Sequence, residues 1–254
     1  MRMPSALLDA IRFLTIVRVR DTESAMAPDW LARAMKYFPA VGAGIGLCSA
    51  IVMLLANEFF SPVIAALLAV TASIVITSAL HEDGLADTAD AFGGGWTIEK
   101  RLAIMKDSRI GSYGALALGL GVALRVAPLS DMPMWAGPAA LIAAHAAARA
   151  APAFVMNYLT YAGDTTAMKV SYAEAPVRSG ELIFALIVVA VAALPLAFIS
   201  LSAVVTGLLC GTVLAFLLAR WSRKMLGGYT GDVLGAIEQM FEIGFLLGVA
   251  AALM

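Results

Sequence analysis

The chain is predicted to be all-α: a polytopic membrane bundle of about seven transmembrane helices, preceded by an amphipathic helix lying in the interface. Three observations lead there. Hydrophobic residues fill 61% of the 254 positions and charged residues only 14%, with a mean hydropathy of +0.89. Soluble domains sit near about 45–50% apolar and about 25% charged. Apolar stretches of about 20 residues, the length needed to cross a bilayer, recur along the sequence. The basic residues fall on alternate connections between those stretches, as the positive-inside rule requires.

Taken in order, residues 5–17 are too short and too amphipathic to span and are expected to lie on the membrane surface. Spans follow at 38–57, 62–80, 113–130, 134–158, 182–200, 202–219 and 234–254, the fifth and sixth joined by a tight hairpin at Ser200-Leu201-Ser202. Of the 17 Lys and Arg, Arg125 and Arg149 lie within spans, and all the others fall in segments 1–37, 81–112, 159–181 and 220–233. The connections at 58–61, 131–133 and 201 hold none. This predicts a multi-pass membrane protein whose N-terminus, 81–112, 159–181 and 220–233 face the cytoplasm. The N-terminus lacks a cleavage-site pattern, so no removable signal peptide is expected. Residues 1–254 read as a single membrane domain without internal repeats. A homo-oligomer is left open, because polar groups on spans can pair within or between chains. A net charge of −1 leaves no basic surplus for a nucleic-acid partner. Cys48 and Cys210 lie inside apolar segments and read as small buried hydrophobes.

Chemistry concentrates in the run His81-Glu82-Asp83-Gly84-Leu85-Ala86-Asp87-Thr88-Ala89-Asp90, where the second apolar segment gives out. Asp83, Asp87 and Asp90 are spaced i, i+4, i+7 and share one face of a helix. Three like charges on one stripe repel unless a cation sits between them. Mg²⁺ suits oxygen ligands, keeps several waters and shares its coordination with substrate phosphates. A solvated acidic helix start would also gather acids, but this density beside a membrane segment favours the metal.

Downstream, Gly93-Gly94-Gly95 permits close backbone approach, and exposed N–H groups in such a turn cradle phosphate oxygens. Lys106 and Arg109 offer a point charge and a bidentate fork for the same oxygens. Lys100 and Arg101 read instead as a juxtamembrane patch on lipid headgroups. The run Arg220-Trp221-Ser222-Arg223-Lys224 precedes Gly227-Gly228-Tyr229-Thr230-Gly231-Asp232, and Asp232 adds a fourth carboxylate on the side of the acidic run. Tyr161, Asp164, Lys169 and Arg178 have no spacing that names a role.

Ionisable residues inside spans are costly and point to function. His145 and Arg149 share a helix face, as do Glu238 and Glu242, and a pairing of Arg149 with one of the glutamates would reconcile them with the bilayer. Arg125, close to Asp131 at the outer end of its span, reads as structural or snorkelling.

An acidic triad, a glycine turn and Lys/Arg groups on one side of the membrane fit metal-assisted phosphoryl transfer, with His81 or an aspartate accepting the proton of an attacking hydroxyl. Here a family resemblance enters. The stretch from His81 to Gly114, the run Gly-Gly-Tyr-Thr-Gly-Asp-Val-Leu-Gly-Ala at 227–236, Phe13-Leu14-Thr15-Ile16-Val17 and Tyr37-Phe38-Pro39-Ala40-Val41-Gly42 together resemble the cobalamin synthase family, the adenosylcobinamide-GDP ribazoletransferases. The resemblance implies an Mg²⁺-dependent inner-membrane phosphotransferase of late cobamide synthesis. It would join the corrinoid adenosylcobinamide-GDP to α-ribazole or its 5′-phosphate and release GMP. On that reading Asp83, Asp87 and Asp90 hold Mg²⁺, Gly93, Gly94, Gly95, Lys106, Arg109 and Asp232 surround the phosphates, and Asp83 and Asp87 are catalytic. His81 is the candidate base, with Glu82 as near in sequence.

Two other classes stay in view. A CDP-alcohol-type phosphotransferase also uses spaced aspartates on a membrane helix, but here Asp83-Gly84 runs into Leu85-Ala86-Asp87 without the Arg of that pattern. A transporter would place essential charges near the midplane of broken helices, whereas this sequence concentrates its polar groups in connections.

Overall fold

The computed structural model describes residues 5–19, 29–163 and 177–254, so Asp164 and Lys169 lie outside the described residues. The described part is helical, with one isolated bridge between Tyr161 and Tyr229. Helix α1 (Ser5–Leu14) turns Ala10 and Leu14 toward α2 (Trp30–Met35) and α3 (Phe38–Asn57). Its buried Asp9 is neutralised by Arg12 Nη2 at 3.0 Å. α4 (Pro62–Ile76) and α5 (Leu80–Gly94) follow, then α6 (Ile98–Met105), α7 (Ser112–Asp131), α8 (Ala136–Ala148) and α9 (Ala151–Tyr158). α10 (Ser179–Ile199), α11 (Leu201–Leu226) and α12 (Gly231–Leu253) complete the bundle. Among the described residues six helices are long and apolar enough to cross a membrane, with α8 and α9 counted together, and a seventh if α4 and α5 form one bent span.

Most predicted spans match these helices within a few residues. The second does not. Apolarity continues to Leu80, but α4 stops at Ile76 and the chain turns through 91° into α5. Ser78 and Ala79 make the turn with φ of 53° and 56°, the left-handed region that costs a non-glycine residue roughly 1–2 kcal/mol. Continuing straight would carry His81, Glu82 and three aspartates along the α4 axis. Bending instead lays α5 between α7 and α12. The carbonyl of Ile76, left open by the bend, accepts a hydrogen bond from Ile16 N at 2.8 Å just beyond α1.

Two predicted connections are therefore largely helical. Residues 81–112 become α5 and α6, and 220–233 shrinks to a four-residue turn because α11 runs on to Leu226. That turn pairs with the segment just after α9, Ala162 N donating to Tyr229 O at 2.8 Å and Tyr229 N to Thr160 O at 3.0 Å. Burial, then the neighbouring Tyr161, push the Tyr229 phenol up to about 12, so it stays protonated. The cysteines depart from expectation: Cys48 and Cys210 are free and exposed on the outside of the protein, where a weakly polar thiol faces apolar surroundings at little cost.

α12 is the innermost helix, buried along most of its length, with Glu238, Gln239 and Glu242 as the buried polar residues on an otherwise apolar surface. It packs on α5, α7, α8, α9 and α11. On the other flank α3 meets α8 so closely that a Cβ at Gly42 would collide with the carbonyl of His145, and one at Gly46 would lie 2.5 Å from that of Leu141. Small residues permit this approach between membrane helices, and it sets His145 and Arg149 into the bundle interior.

Ala79→Gly is expected to raise thermal stability by roughly 0.5–1 kcal/mol by relieving the left-handed strain. Ala79→Val should lower it by a similar amount or more, both read from melting of the purified protein in detergent.

Candidate functional site

α5 organises the site by presenting different residues to different neighbours. Gly84 lies against α12, where a Cβ would come within 2.6 Å of Asp232 O and 3.1 Å of its Cα. This contact holds Asp83 and Asp87 of α5 beside Asp232 at the start of α12. Asp83 is exposed, and Asp87 and Asp232 are half-buried. Among the described residues no Lys, Arg or His pairs with any of these three carboxylates. Their oxygens do not converge as tightly as those of a closed metal cage, which leaves room for water and for phosphate oxygens.

Asp90 does something else. Its Oδ2 accepts from Gly111 N at 2.7 Å and its Oδ1 from Gly114 N at 2.8 Å. These N–H groups open α7, so the last aspartate of the run caps a helix that has no capping side chain of its own. The triad thus splits: two carboxylates at the open edge of α5, one tying α5 to α7.

Asp83, His81, Arg149, Asp232 and Glu238 line one side of a cavity of about 130 Å³. Phe13, Leu31, Met35 and Phe38 from α1–α3 close the other side. His81 Nδ1 is buried, without a hydrogen-bond partner among the described residues, and 3.7 Å from Glu238 Oε2.

Glu82 faces the opposite way. Its Oε1 accepts from Arg125 Nη1 at 3.0 Å, and the same guanidinium lies 3.4 Å from Glu242 Oε1. Glu242 Oε2 is 3.0 Å from His145 Nδ1, and Arg149 Nη1 is 2.8 Å from Glu238 Oε1. Gln239 Nε2 donates to Glu238 Oε2 at 3.0 Å. Three carboxylates, two guanidiniums and two imidazoles therefore form one buried network joining α5, α7, α8 and α12. The expected pairing of Arg149 with a glutamate is present, within one chain. Arg125 corrects the snorkelling expectation: only 1% of it is exposed, and it turns from the exposed Asp131 toward Glu82 and Glu242. The sequence signal for this was Glu82 itself, an acid adjoining the run but off the stripe of Asp83, Asp87 and Asp90.

His145, Glu238 and Glu242 are the one described trio of potential metal ligands whose donor atoms lie within 4.8 Å of one another. Arg125 and Arg149 already neutralise these carboxylates, so the charge a metal would supply is present as guanidinium.

Gly93, Gly94, Gly95, Lys106 and Arg109 are not part of the cavity wall. Gly93 packs beneath the Tyr113 ring, its Cβ position 2.6 Å from that side chain, and Gly95 packs against Arg101. Arg109 is 86% exposed and bonded to Asp107, with Nη2 to Oδ2 at 2.6 Å. The guanidinium holds the Asp107 carboxyl down at about 2. Asp90 anchors this loop by its grip on Gly111, about 10 Å along α5 from Asp83 by helical rise.

A family model described as cobalamin-5-phosphate synthase matches residues 6–250. The chain belongs to the cobalamin-5-phosphate synthase family. Relatives named adenosylcobinamide-GDP ribazoletransferase agree: one from Azorhizobium caulinodans is 42% identical over 94% of this chain and 93% of its own length. One from Bradyrhizobium diazoefficiens is 42% identical over 95% and 92%, and one from Shewanella piezotolerans 40% identical over 84% and 82%. No solved structure matches. Family membership makes this a membrane-embedded transferase of cobamide synthesis, although its bent α4–α5 pair and buried charges are features a transporter would share.

Arg125→Met is expected to strip Glu82 and Glu242 of their shared partner and cost about 3–5 kcal/mol. The check is a large fall in melting temperature, partly rescued by adding Glu82→Gln and Glu242→Gln.

Proposed function

We propose that the protein is an Mg²⁺-dependent phosphotransferase of the inner membrane, joining adenosylcobinamide-GDP to α-ribazole or its 5′-phosphate with release of GMP. The observation that carries this reading is the set of Asp83, Asp87 and Asp232: three carboxylates without a basic partner among the described residues, brought together by the Gly84 contact, with Asp83 and Asp232 lining a cavity, in a chain of this family. The one-sided distribution of Lys and Arg supports a cytoplasmic site.

These donors fit a hard divalent cation, being all oxygen, solvent-reachable and spaced to leave positions for water. Mg²⁺ held there would neutralise the donor diphosphate and the charge developing on the departing GMP. Asp83 and Asp232 would hold the cation at the cavity mouth, with Asp87 one turn along α5. An acceptor hydroxyl oxygen forms a bond to the phosphorus carried by the cobinamide arm, the bond from that phosphorus to the bridging oxygen breaks, and GMP leaves with the bridging oxygen. His81 Nδ1, on the cavity wall and without a hydrogen-bond partner among the described residues, takes the hydroxyl proton. Glu82, engaged by Arg125, fits this task less well. Asp90 serves by fixing the turn at Gly111, which sets the loop carrying Lys106 and Arg109 beside the far end of α5. Those two cations and the Gly93–Gly95 turn meet the outer part of the large donor.

The test supplies both substrates and Mg²⁺ to the protein in nanodiscs and reads GMP release. Asp87→Asn is expected to lower release by about 10²-fold or more, the scale of removing one transition-state electrostatic contact. Undiminished release would take Asp87 out of the metal site. Gly84→Ala, which wedges α5 from α12 while leaving every carboxylate in place, should lower kcat by roughly tenfold to 10²-fold. A wild-type rate in that variant would show that the Asp232 contact does not set the site.

A further inference from the structure

The cytoplasmic-side end of α11 carries a cavity of about 510 Å³ lined by Leu217, Arg220, Trp221, Arg223 and Lys224. It shares no residue with the cavity at Asp83. Leu217, Arg220, Trp221 and Lys224 are spaced i, i+3, i+4, i+7 and so occupy one helix face. That face is continuous with an outward apolar stripe along the same helix. Leu209 is 60% exposed, Val213 52%, Phe216 63% and Leu217 53%, as expected of a surface against acyl chains. At the stripe's end Trp221 is 49% exposed, the position aromatic side chains take at a membrane interface. Beyond it come the cations.

Arg220, Arg223 and Lys224 are all exposed, and among the described residues none is paired with a carboxylate. Cations near a helix C-terminus are favoured by its dipole, but that interaction does not call for a cavity roofed by tryptophan. An apolar track, an interfacial indole and three unneutralised cations in sequence along one face complement an acyl chain, a glycerol region and an anionic headgroup. We propose that this face of α11 binds an anionic phospholipid, its phosphate held by Arg220, Arg223 and Lys224 and its chain laid along Leu217, Val213 and Leu209. A free phosphate or nucleotide would use the cations but leave the apolar track without a role.

The site adjoins the catalytic helix. Trp221 meets Phe92 of α5 edge to face, with ring centroids 5.0 Å apart, and Arg101 of α6 donates to Met225 O at 2.8 Å. A lipid seated against Trp221 therefore braces the end of α5 whose Asp90 caps α7.

The experiment uses the full chain in nanodiscs of mixed phosphatidylcholine and phosphatidylglycerol, followed by mild delipidation and counting of retained lipids by native mass spectrometry. Wild type is expected to retain phosphatidylglycerol over phosphatidylcholine by at least about tenfold, each interfacial cation contributing a several-fold preference. The triple variant Arg220→Gln, Arg223→Gln, Lys224→Gln should fall below about twofold. A control removing the same charge nearby, Lys100→Gln, Lys106→Gln, Arg109→Gln, should keep the preference. Absence of preference in wild type, equal loss in the control, or displacement of the lipid by pyrophosphate would overturn the proposal. Should the triple variant fail to fold, quenching of tryptophan fluorescence by brominated phosphatidylglycerol decides. Quenching in excess of that by brominated phosphatidylcholine must disappear in Trp221→Phe, and its persistence would reject the site.

Discussion

Glu82, Glu238 and Glu242 are buried between apolar helices and depend on Arg125 and Arg149, which lie against them. An isolated charge at the membrane centre costs several kcal/mol, and a buried charge whose partner is removed costs as much again. This requirement reaches into four helices at once. α5 must approach α7 and α12 for Glu82 to meet Arg125, and α8 must seat tightly on α3 to bring Arg149 onto Glu238. The tight α3–α8 contact at Gly42 and the bend at Ser78-Ala79 both serve that geometry. The network's net effect is less stabilisation than registry: many sliding arrangements of apolar helices have similar packing energy, but few pair every charge.

The bend divides labour along α5. Its buried side answers to the ion network, its α12 side carries Gly84 and sets Asp83 and Asp87 beside Asp232, and its far end holds α7 through Asp90. Strain at two left-handed residues is tolerable where the surrounding structure over-determines the turn, as commonly happens near functional sites. Here the turn is held by Ile16 N from one side and by the network from the other.

Much of this was legible in the residues. Apolar length alone located α3, α7 and α10–α12, and the i, i+4, i+7 spacing picked out α5, the helix on which the candidate site is proposed. What length could not reveal was the break inside the second span, since Thr77-Ser78-Ala79-Leu80 contains neither glycine nor proline. The bend is imposed by tertiary pairing rather than by local propensity. The same limit explains Asp90 and Arg125. Spacing shows which face a side chain occupies, and only packing shows what waits there: backbone N–H groups of α7 for one, two buried carboxylates for the other.

The cavity draws its walls from distant parts of the sequence, Phe13 from α1 and Asp232 and Glu238 from α12. Sequence separation between the two is nearly the whole length of the chain. A partly synthesised chain, with α1 through α11 already in the bilayer, would have the acidic helix but neither Asp232 beside it nor Glu242 to share Arg125. The chemistry proposed for this cavity would thus become possible only once α12 packs beside α5 and α8, so that its assembly depends on a late, long-range docking event.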